Sequence, residues 1–341
     1  MHMADALLSP AVGGGLWLAT GTAIAVGSRR MKASLDHRQV PLMGVMGALV
    51  FAVQMLNFTI PGTGSSGHFA GGLLLAVLLG PHAAFLTIAS VIMVQALFFA
   101  DGGLLALGAN IFNMGFFACY LVYPFVFRPL STAWEGRPFQ RWAAFLAAII
   151  ALQLGALGVV VETSLSGIAE LPFATFLLAM QPIHLAIGVG EGLITMAVID
   201  LLTRVEPEIL TRTKAERVTG FLPGKKALAL LAVLAVLAGG IFSWFASSQP
   251  DGLEWSIAKL TGQDKELAAP EGPIHQVAAG LQEKLSFLPD YAFSQPEGEG
   301  EGGGDALGTS VSGLVGGSIV LLLAGLFGFA FRRRSDPQVA G

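Results

Sequence analysis

The residues with the most distinctive chemistry in this chain are histidines, and the sequence has six. Two of them stand out by position. His2 is the second residue of "MHMADALLSP", and His68 lies in the glycine-rich stretch "GTGSSGHFAGG". An α-amine has an ordinary pKa near 7.7–8.0, so a metal ion displaces its proton at little cost. From that amine, a metal can reach the amide nitrogen of His2 and then its Nδ1, closing a five-membered and a six-membered ring. Three nitrogens are then held in one plane. The imidazole of His68 can supply the fourth corner. Planar nitrogen ligation favours nickel(II) or copper(II) over zinc, which prefers a tetrahedron. A bulky second residue also disfavours removal of Met1, so this register is expected to persist.

Other chemistries find less support. Gly224-Lys225 is followed by Lys226 instead of Ser or Thr, and the upstream glycine position is Thr219, so there is no P-loop. No H-E-x-x-H string occurs, which excludes a zinc protease of that type. The single cysteine, Cys119, excludes a disulfide framework and a thiolate-rich metal site. His37 reads as a solvated loop residue, His82 as a cap for the turn at Gly80-Pro81, and His275 as a surface residue. His184, in "QPIHLAIGVGEG", is read as making a helix-to-helix hydrogen bond or supporting a site, because a buried polar group needs a partner.

The elements that must position these residues are set by hydrophobicity. Apolar residues make up 54% of the chain and charged residues only 12%, against about 25% charged in soluble domains. Mean hydropathy is +0.69. Apolar stretches at 9–27, 41–57, 68–80, 83–99, 104–127, 141–161, 173–202, 226–246 and 312–331 read as membrane spans. The third is too short to cross, and "GPH" at 80–82 separates it from the fourth. Basic residues precede none of the first stretch, so it is expected to remain as a helix instead of being removed as a signal.

The positive-inside rule orients the spans with the N-terminus outside and the C-terminus cytoplasmic. Of the 19 basic residues, all but Lys259, Lys265 and Lys284 then fall in or beside inward segments. His2 and His68 both face outward in this arrangement, and non-helical backbone such as the His68 loop is tolerated at membrane depth only where it is buried in protein or lines a cavity. The expected organisation is a seven-helix capture bundle over 1–202, a cytoplasmic linker over 203–225, a two-helix module over 226–331 with an outward segment at 247–311, and a cytoplasmic tail over 332–341. The stretch "SQPEGEGEGGGDALG" cannot bury a core and is expected to be disordered. The outward segment carries eleven acidic residues from Asp251 to Asp305 against three lysines, which suits solubility or a weak cation-gathering surface. Gly67 and Gly71, Gly188 and Gly192, and Gly313 and Gly317 have the spacing that lets membrane helices approach closely.

Acids inside the spans are few. Glu191 and Asp200 lie in the seventh and Glu162 at the outer end of the sixth, and only Glu191 is placed to serve an ion-coupled carrier. An ion-coupled secondary carrier or a non-transporting membrane scaffold is therefore the alternative reading. Either should tolerate an N-terminal extension.

The strings "MHMADALLSP", "SSGHFAGG", "LGANIFNMG" and "HLAIGVGEG" together resemble the CbiM/NikM family. These are substrate-capture subunits of energy-coupling-factor transporters for cobalt or nickel. "PDGLEW" at 250–255 resembles the small CbiN/NikN-type partner, here fused to the same chain. The resemblance implies an all-α integral membrane protein of the inner membrane that captures Ni²⁺ or Co²⁺ as substrate, holds no cofactor and is not itself an ATPase. It implies a CbiQ/NikQ-like transmembrane coupling subunit, CbiO/NikO-like ATPase subunits and the lipid bilayer as partners, with no nucleic acid. The implied metal ligands are Met1, His2 and His68. Asn110, Asn113, His184 and Glu191 are implied as supports that hold the ligand loops by hydrogen bonds. "MHM" departs from the more usual Met-His-Ile at a position that supplies no ligand in that scheme.

Overall fold

The structure is a computed structural model that describes residues 2–133, 137–206, 224–262, 272–293 and 306–331. Met1, most of the 203–225 linker, most of the Gly- and Glu-rich stretch and the 332–341 tail lie outside the described residues. The described chain is almost wholly helical. Helix α1 (Pro10–Ser34) starts at Ser9, whose side chain accepts from the Val12 amide, with Pro10 at the first helical position. Helix α2 (Val40–Gln54) leads into a two-stranded antiparallel hairpin of β1 (Phe58–Ile60) and β2 (Ser65–Gly67), with Phe58 opposite Gly67. Then come α3 (Gly72–Leu79), α4 (Pro81–Phe98), α5 (Leu107–Thr132), α6 (Arg137–Ser166) and α7 (Phe173–Val205). The remainder comprises α8 (Lys225–Gly240), α9 (Gly252–Thr261), α10 (Pro273–Leu285) and α11 (Ala306–Phe331).

Among the described residues, six helices are long and apolar enough to cross a membrane: α1, α4, α5, α6, α7 and α11. Each of the nine apolar stretches in the sequence coincides with a helix. The third is indeed short, since the eight residues of α3 span only about 12 Å. Gly80, at φ +79°, makes the break before α4 that a residue with a Cβ resists. Helix α3 is buried except at the half-buried Val77. A Cβ on its first residue, Gly72, would lie 2.4 Å from the Met114 carbonyl oxygen, so the missing side chain is what lets α5 approach. Helix α5 is wound as a π-helix from Phe112 to Phe127, a rare form that often marks functional sites.

Two of the glycine pairs pack helices together. Gly188 and Gly192 lie against Ile149 and Phe145, joining α7 to α6, and Gly313 touches Gly239, joining α11 to α8. Gly67 and Gly71 do not belong to a helix. They flank the loop before α3, and Gly71 has φ +78°.

The described part of segment 247–311 folds onto one end of the bundle. That end gathers the start of α1, the ends of α2 and α4, and the end of α8. The level is fixed by bonds: Gln95 Nε2 donates to Gln54 Oε1 (2.8 Å), and the Ser247 amide donates to the Asn57 carbonyl (2.7 Å).

Candidate metal centre

The peptide before α1 turns back into the bundle, with Met3, Leu7 and Leu8 buried. Asn110, in the first turn of α5, holds Met3 by both of its backbone groups. The Met3 amide donates to Asn110 Oδ1 (2.7 Å), and Asn110 Nδ2 donates to the Met3 carbonyl (3.1 Å). A side-chain amide has the donor and acceptor of a peptide group, so it can pair with backbone as a neighbouring strand does. The Gly103 amide also donates to the Met3 carbonyl (2.9 Å), and the Ala106 amide donates to Asp5 Oδ1 (2.9 Å). Three residues after Asn110, Asn113 Nδ2 donates to Glu162 Oε2 (2.7 Å) and lies 3.9 Å from the Met3 sulfur. Residue 3 is thus pinned, and His2 is placed by it.

The His68 loop is fixed from the other side. Glu191 on α7 accepts from the Ala70 amide (2.6 Å) and the Gly71 amide (3.1 Å). Gln54 Nε2 donates to the Ala70 carbonyl (2.8 Å). A carboxylate buried by these contacts is satisfied by charge-assisted bonds, which are stronger than neutral ones.

These two anchored segments bring the imidazoles of His2 and His68 together. The rings stack with centroids 5.1 Å apart and planes 10° from parallel. Each has a carboxylate beside it: His2 Nδ1 is 3.0 Å from Asp101 Oδ1, and His68 Nε2 is 3.7 Å from Asp251 Oδ2. Burial lowers the pKa of His68, which favours the neutral imidazole that a metal requires. Desolvation pushes the Asp101 pKa up, but His2 and a hydrogen bond from Tyr291 outweigh it and hold this carboxyl well below the usual range. Tyr291 Oη donates to Asp101 Oδ2 at 2.5 Å. Both ends of that contact use left-handed backbone at residues with side chains, namely Ala100 (φ +55°), Asp290 (φ +53°) and Tyr291 (φ +61°). Such strain persists where surrounding structure enforces it, often at functional sites.

The string "PDGLE" acquires a physical meaning here. The Pro250 carbonyl accepts from the Ser66 amide (2.8 Å), and Trp255 Nε1 donates to the Thr63 carbonyl (2.9 Å), so the segment grips the hairpin that precedes His68. Asp251 Oδ1 caps α9 by accepting from the Leu253 and Glu254 amides, and Glu254 accepts from the Asp251 amide in return. The second oxygen of Asp251 is the one beside His68. Gly252 lies against α7, where a Cβ would fall 2.7 Å from Ile187 and 3.0 Å from His184. Leu253 is buried.

The other histidines separate from this pair. His184 Nδ1 donates to the carbonyl of Met180 in its own helix (2.8 Å), and its buried Nε2 has no hydrogen-bond partner among the described residues. The expected helix-to-helix bond does not form, because a bond to the i−4 carbonyl is available within the turn. His82 does not cap its turn; its Nδ1 lies 3.3 Å from Tyr120 Oη. His37 is exposed. His275, expected at the surface, is buried, and its Nε2 donates to the Leu8 carbonyl (3.0 Å). Asp200, near the C-terminal end of α7, is paired with Arg141 and Arg204.

A cleft of about 770 Å³ opens over His2 and His68. Asp5, Asp101, Asp251, Glu254 and Asp290 line it, and no lysine or arginine does among the described residues. Low-dielectric walls bearing one sign of charge concentrate counter-ions, here cations. Among the described residues, no group of three or more His, Cys, Asp or Glu side chains is arranged to hold a metal ion. Two imidazoles side by side are what the side chains offer.

Asp101 and Tyr291 are absent from the residues singled out in the sequence. Asp101 was within reach of the same reasoning, since it follows the fourth apolar stretch on the side shared by His2 and His68. Tyr291 carries no local signal.

The chain is similar to known proteins over most of its length. Residues 2–209 match the family model described as the CbiM cobalt uptake substrate-specific transmembrane region, and residues 225–333 match the PDGLE domain. The chain is 30% identical to the fused nickel transport protein NikMN of Rhodobacter capsulatus, covering 96% of each. It is 30% identical to the cobalt transport protein CbiM of Geobacter sulfurreducens, covering 70% of each. A crystal structure described as a transition metal transporter aligns with a TM-score of 0.54 at 29% identity, covering 64% of this chain and all of that one. The fold, the paired histidines and these matches lead to one assignment: the chain is a multi-pass membrane protein that belongs to the CbiM family and carries a PDGLE domain in the same polypeptide.

Proposed function

We propose that this protein is the substrate-capture subunit of an ATP-driven, energy-coupling-factor uptake system for Ni²⁺ or Co²⁺. The observation that carries the proposal is the stacked His2–His68 pair at the base of an acidic cleft. The metal is substrate, entering from outside. Its ligands are the Met1 amine, the His2 amide nitrogen and Nδ1, and the His68 imidazole. Two side-chain nitrogens do not complete a coordination plane, so the N-terminal main chain supplies the rest. To serve as a ligand, His2 Nδ1 must turn from Asp101 Oδ1, which it faces at 3.0 Å. The planar four-nitrogen set favours nickel, with cobalt as the second choice. Asn110, Asn113 and Glu191 support the two ligand segments through the bonds described above. His184 lies against Gly252, next to Asp251, without a hydrogen bond to the loop, and supports the site by packing.

In the same reading, 1–202 forms the capture domain and 226–331 the CbiN/NikN-like module, joined through 203–225. The N-terminus is outside and the C-terminus cytoplasmic, in the inner membrane. A CbiQ/NikQ-like coupling subunit and CbiO/NikO-like ATPases supply the energy, and this chain hydrolyses no ATP. The geometry favours capture over ion-coupled transport at one residue: Glu191, the acid such a carrier would use, is occupied by the Ala70 and Gly71 amides. The test is metal content. Purified protein dialysed against Ni²⁺ and, separately, Co²⁺ should retain close to one ion per chain. No retained metal under either condition would contradict the proposal.

A further inference from the structure

Helix α10 lies across the end of the bundle that bears the cleft. Near its start, His275 donates to the carbonyl of Leu8, just ahead of α1. Two turns later, Gln282 Nε2 donates to the carbonyls of Ala96 (2.9 Å) and Gly102 (2.7 Å), at the end of α4. Helices α1 and α4 run antiparallel, since Gly27 late in α1 meets His82 and Leu86 early in α4. Leu8 and Ala96 therefore lie at the same end, and a helix that touches both lies across that end instead of continuing a span.

The sequence of α10 divides its surface into three faces at 100° per residue. One face, with His275 and Gln282, rests on the protein. About a quarter-turn round from it lie the exposed polar residues Gln276 and Glu283. On the far side of the helix from these runs an apolar stripe of Ile274, Val277, Leu281 and Leu285, which are 51%, 71%, 50% and 38% exposed. Lys284 sits at the edge of this stripe, where a long side chain can keep its stem in an apolar layer and its charge in water. The stripe continues into exposed aromatic residues at the same end. Phe287 follows the helix and packs on Phe98 and Phe99, while Trp244 and Phe245 lie in the short turn after α8. Aromatic side chains collect at the level where lipid meets water.

We propose that α10 is an interfacial helix whose Ile274–Val277–Leu281–Leu285 stripe is seated in the outer boundary of the lipid bilayer. Its occupant is lipid because the stripe runs on to the exposed Phe287, which packs on Phe98 and Phe99 at the end of the spanning helix α4, and is bordered by Lys284 on the way to a polar face. That order of faces is the signature of a helix lying in the membrane plane. The assignment has a consequence for capture. His275, Ala279 and Gln282 on the neighbouring face of α10 line the cleft, so the bilayer surface holds one wall of the metal's entry route.

Nitroxide labels test this directly. Cysteines are introduced singly as Val277→Cys, Leu281→Cys, Gln276→Cys and Glu283→Cys in the full chain carrying Cys119→Ala. The labelled proteins are placed in nanodiscs of phosphatidylethanolamine and phosphatidylglycerol. Power saturation then compares collisions with oxygen, which partitions into lipid, and with chromium oxalate, which stays in water. Labels at 277 and 281 should collide severalfold more with oxygen than with chromium oxalate, and labels at 276 and 283 should show the reverse. Two stripe positions are read so that one poorly folded variant does not decide the result. Stripe labels as accessible to chromium oxalate as that at 283 would place the helix in water and overturn the proposal. Stripe labels shielded from both reagents would overturn it too, by showing that protein and not lipid covers the face.

Discussion

At the scale of single residues, the capture site rests on few contacts, and each has a separable role. In the proposed site His68 supplies a ligand, and its loop is held by Glu191 and Gln54 and not by the imidazole itself. His68→Ala should therefore abolish or severely reduce metal retention while leaving the helix content and thermal transition of the protein near those of the parent. Unchanged metal stoichiometry in that variant would remove His68 from the ligand set. Asn110 supplies no ligand but clamps Met3 from both sides. Asn110→Ala should weaken Ni²⁺ binding roughly tenfold to a hundredfold, the usual cost of losing a partner that orients a ligand. Isothermal titration measures this, and an affinity equal to the parent's would show that Met3 is held well enough without Asn110. The two histidines were legible in the sequence because their chemistry is local: one position along the chain and one glycine-rich loop. The His2–Asp101–Tyr291 contacts were not. They join residues about 100 and 190 positions apart, and only the packed fold creates that proximity.

At the scale of elements, hydrophobic pattern and turn residues carried most of the information. The break between α3 and α4 was readable because Gly80 and Pro81 leave little choice of backbone there. The burial of α3 could not be read from its eight apolar residues, which would look the same facing lipid. His275 was misjudged for a related reason. An acidic, polar segment reads as solvent-exposed, and its docking depends on individual bonds to Leu8, Ala96 and Gly102. The PDGLE string shows how one short element joins two modules, and Gly252 is its closest point of contact with α7. Gly252→Ala should cost roughly 1–3 kcal/mol through overpacking against Ile187 and His184. Hydrogen exchange at the Ser66 amide, which donates to Pro250, should then accelerate. Exchange at the parent rate would show that α9 accommodates a methyl group without shifting.

At the scale of the whole molecule, the chain combines a metal-capture bundle with a second module that closes over it. The second module contributes Asp251 beside His68 and Tyr291 beside Asp101, but no described histidine of its own next to the pair. A chain ending at residue 224 is therefore expected to transport more slowly with its coupling partners, because the capture loop loses its outer contacts. Full-rate uptake by the shortened chain would show that the module is dispensable. The account's central claim is that the N-terminus is itself a ligand, and acetylation of the Met1 amine tests it most directly. Acetylation removes one donor and one charge without changing any spacing. Ni²⁺ titration of native and acetylated protein should show a loss of affinity of at least about tenfold to a hundredfold. An amine that only begins the chain should absorb the change within about 0.5 kcal/mol, and equal binding by the two proteins would contradict the account.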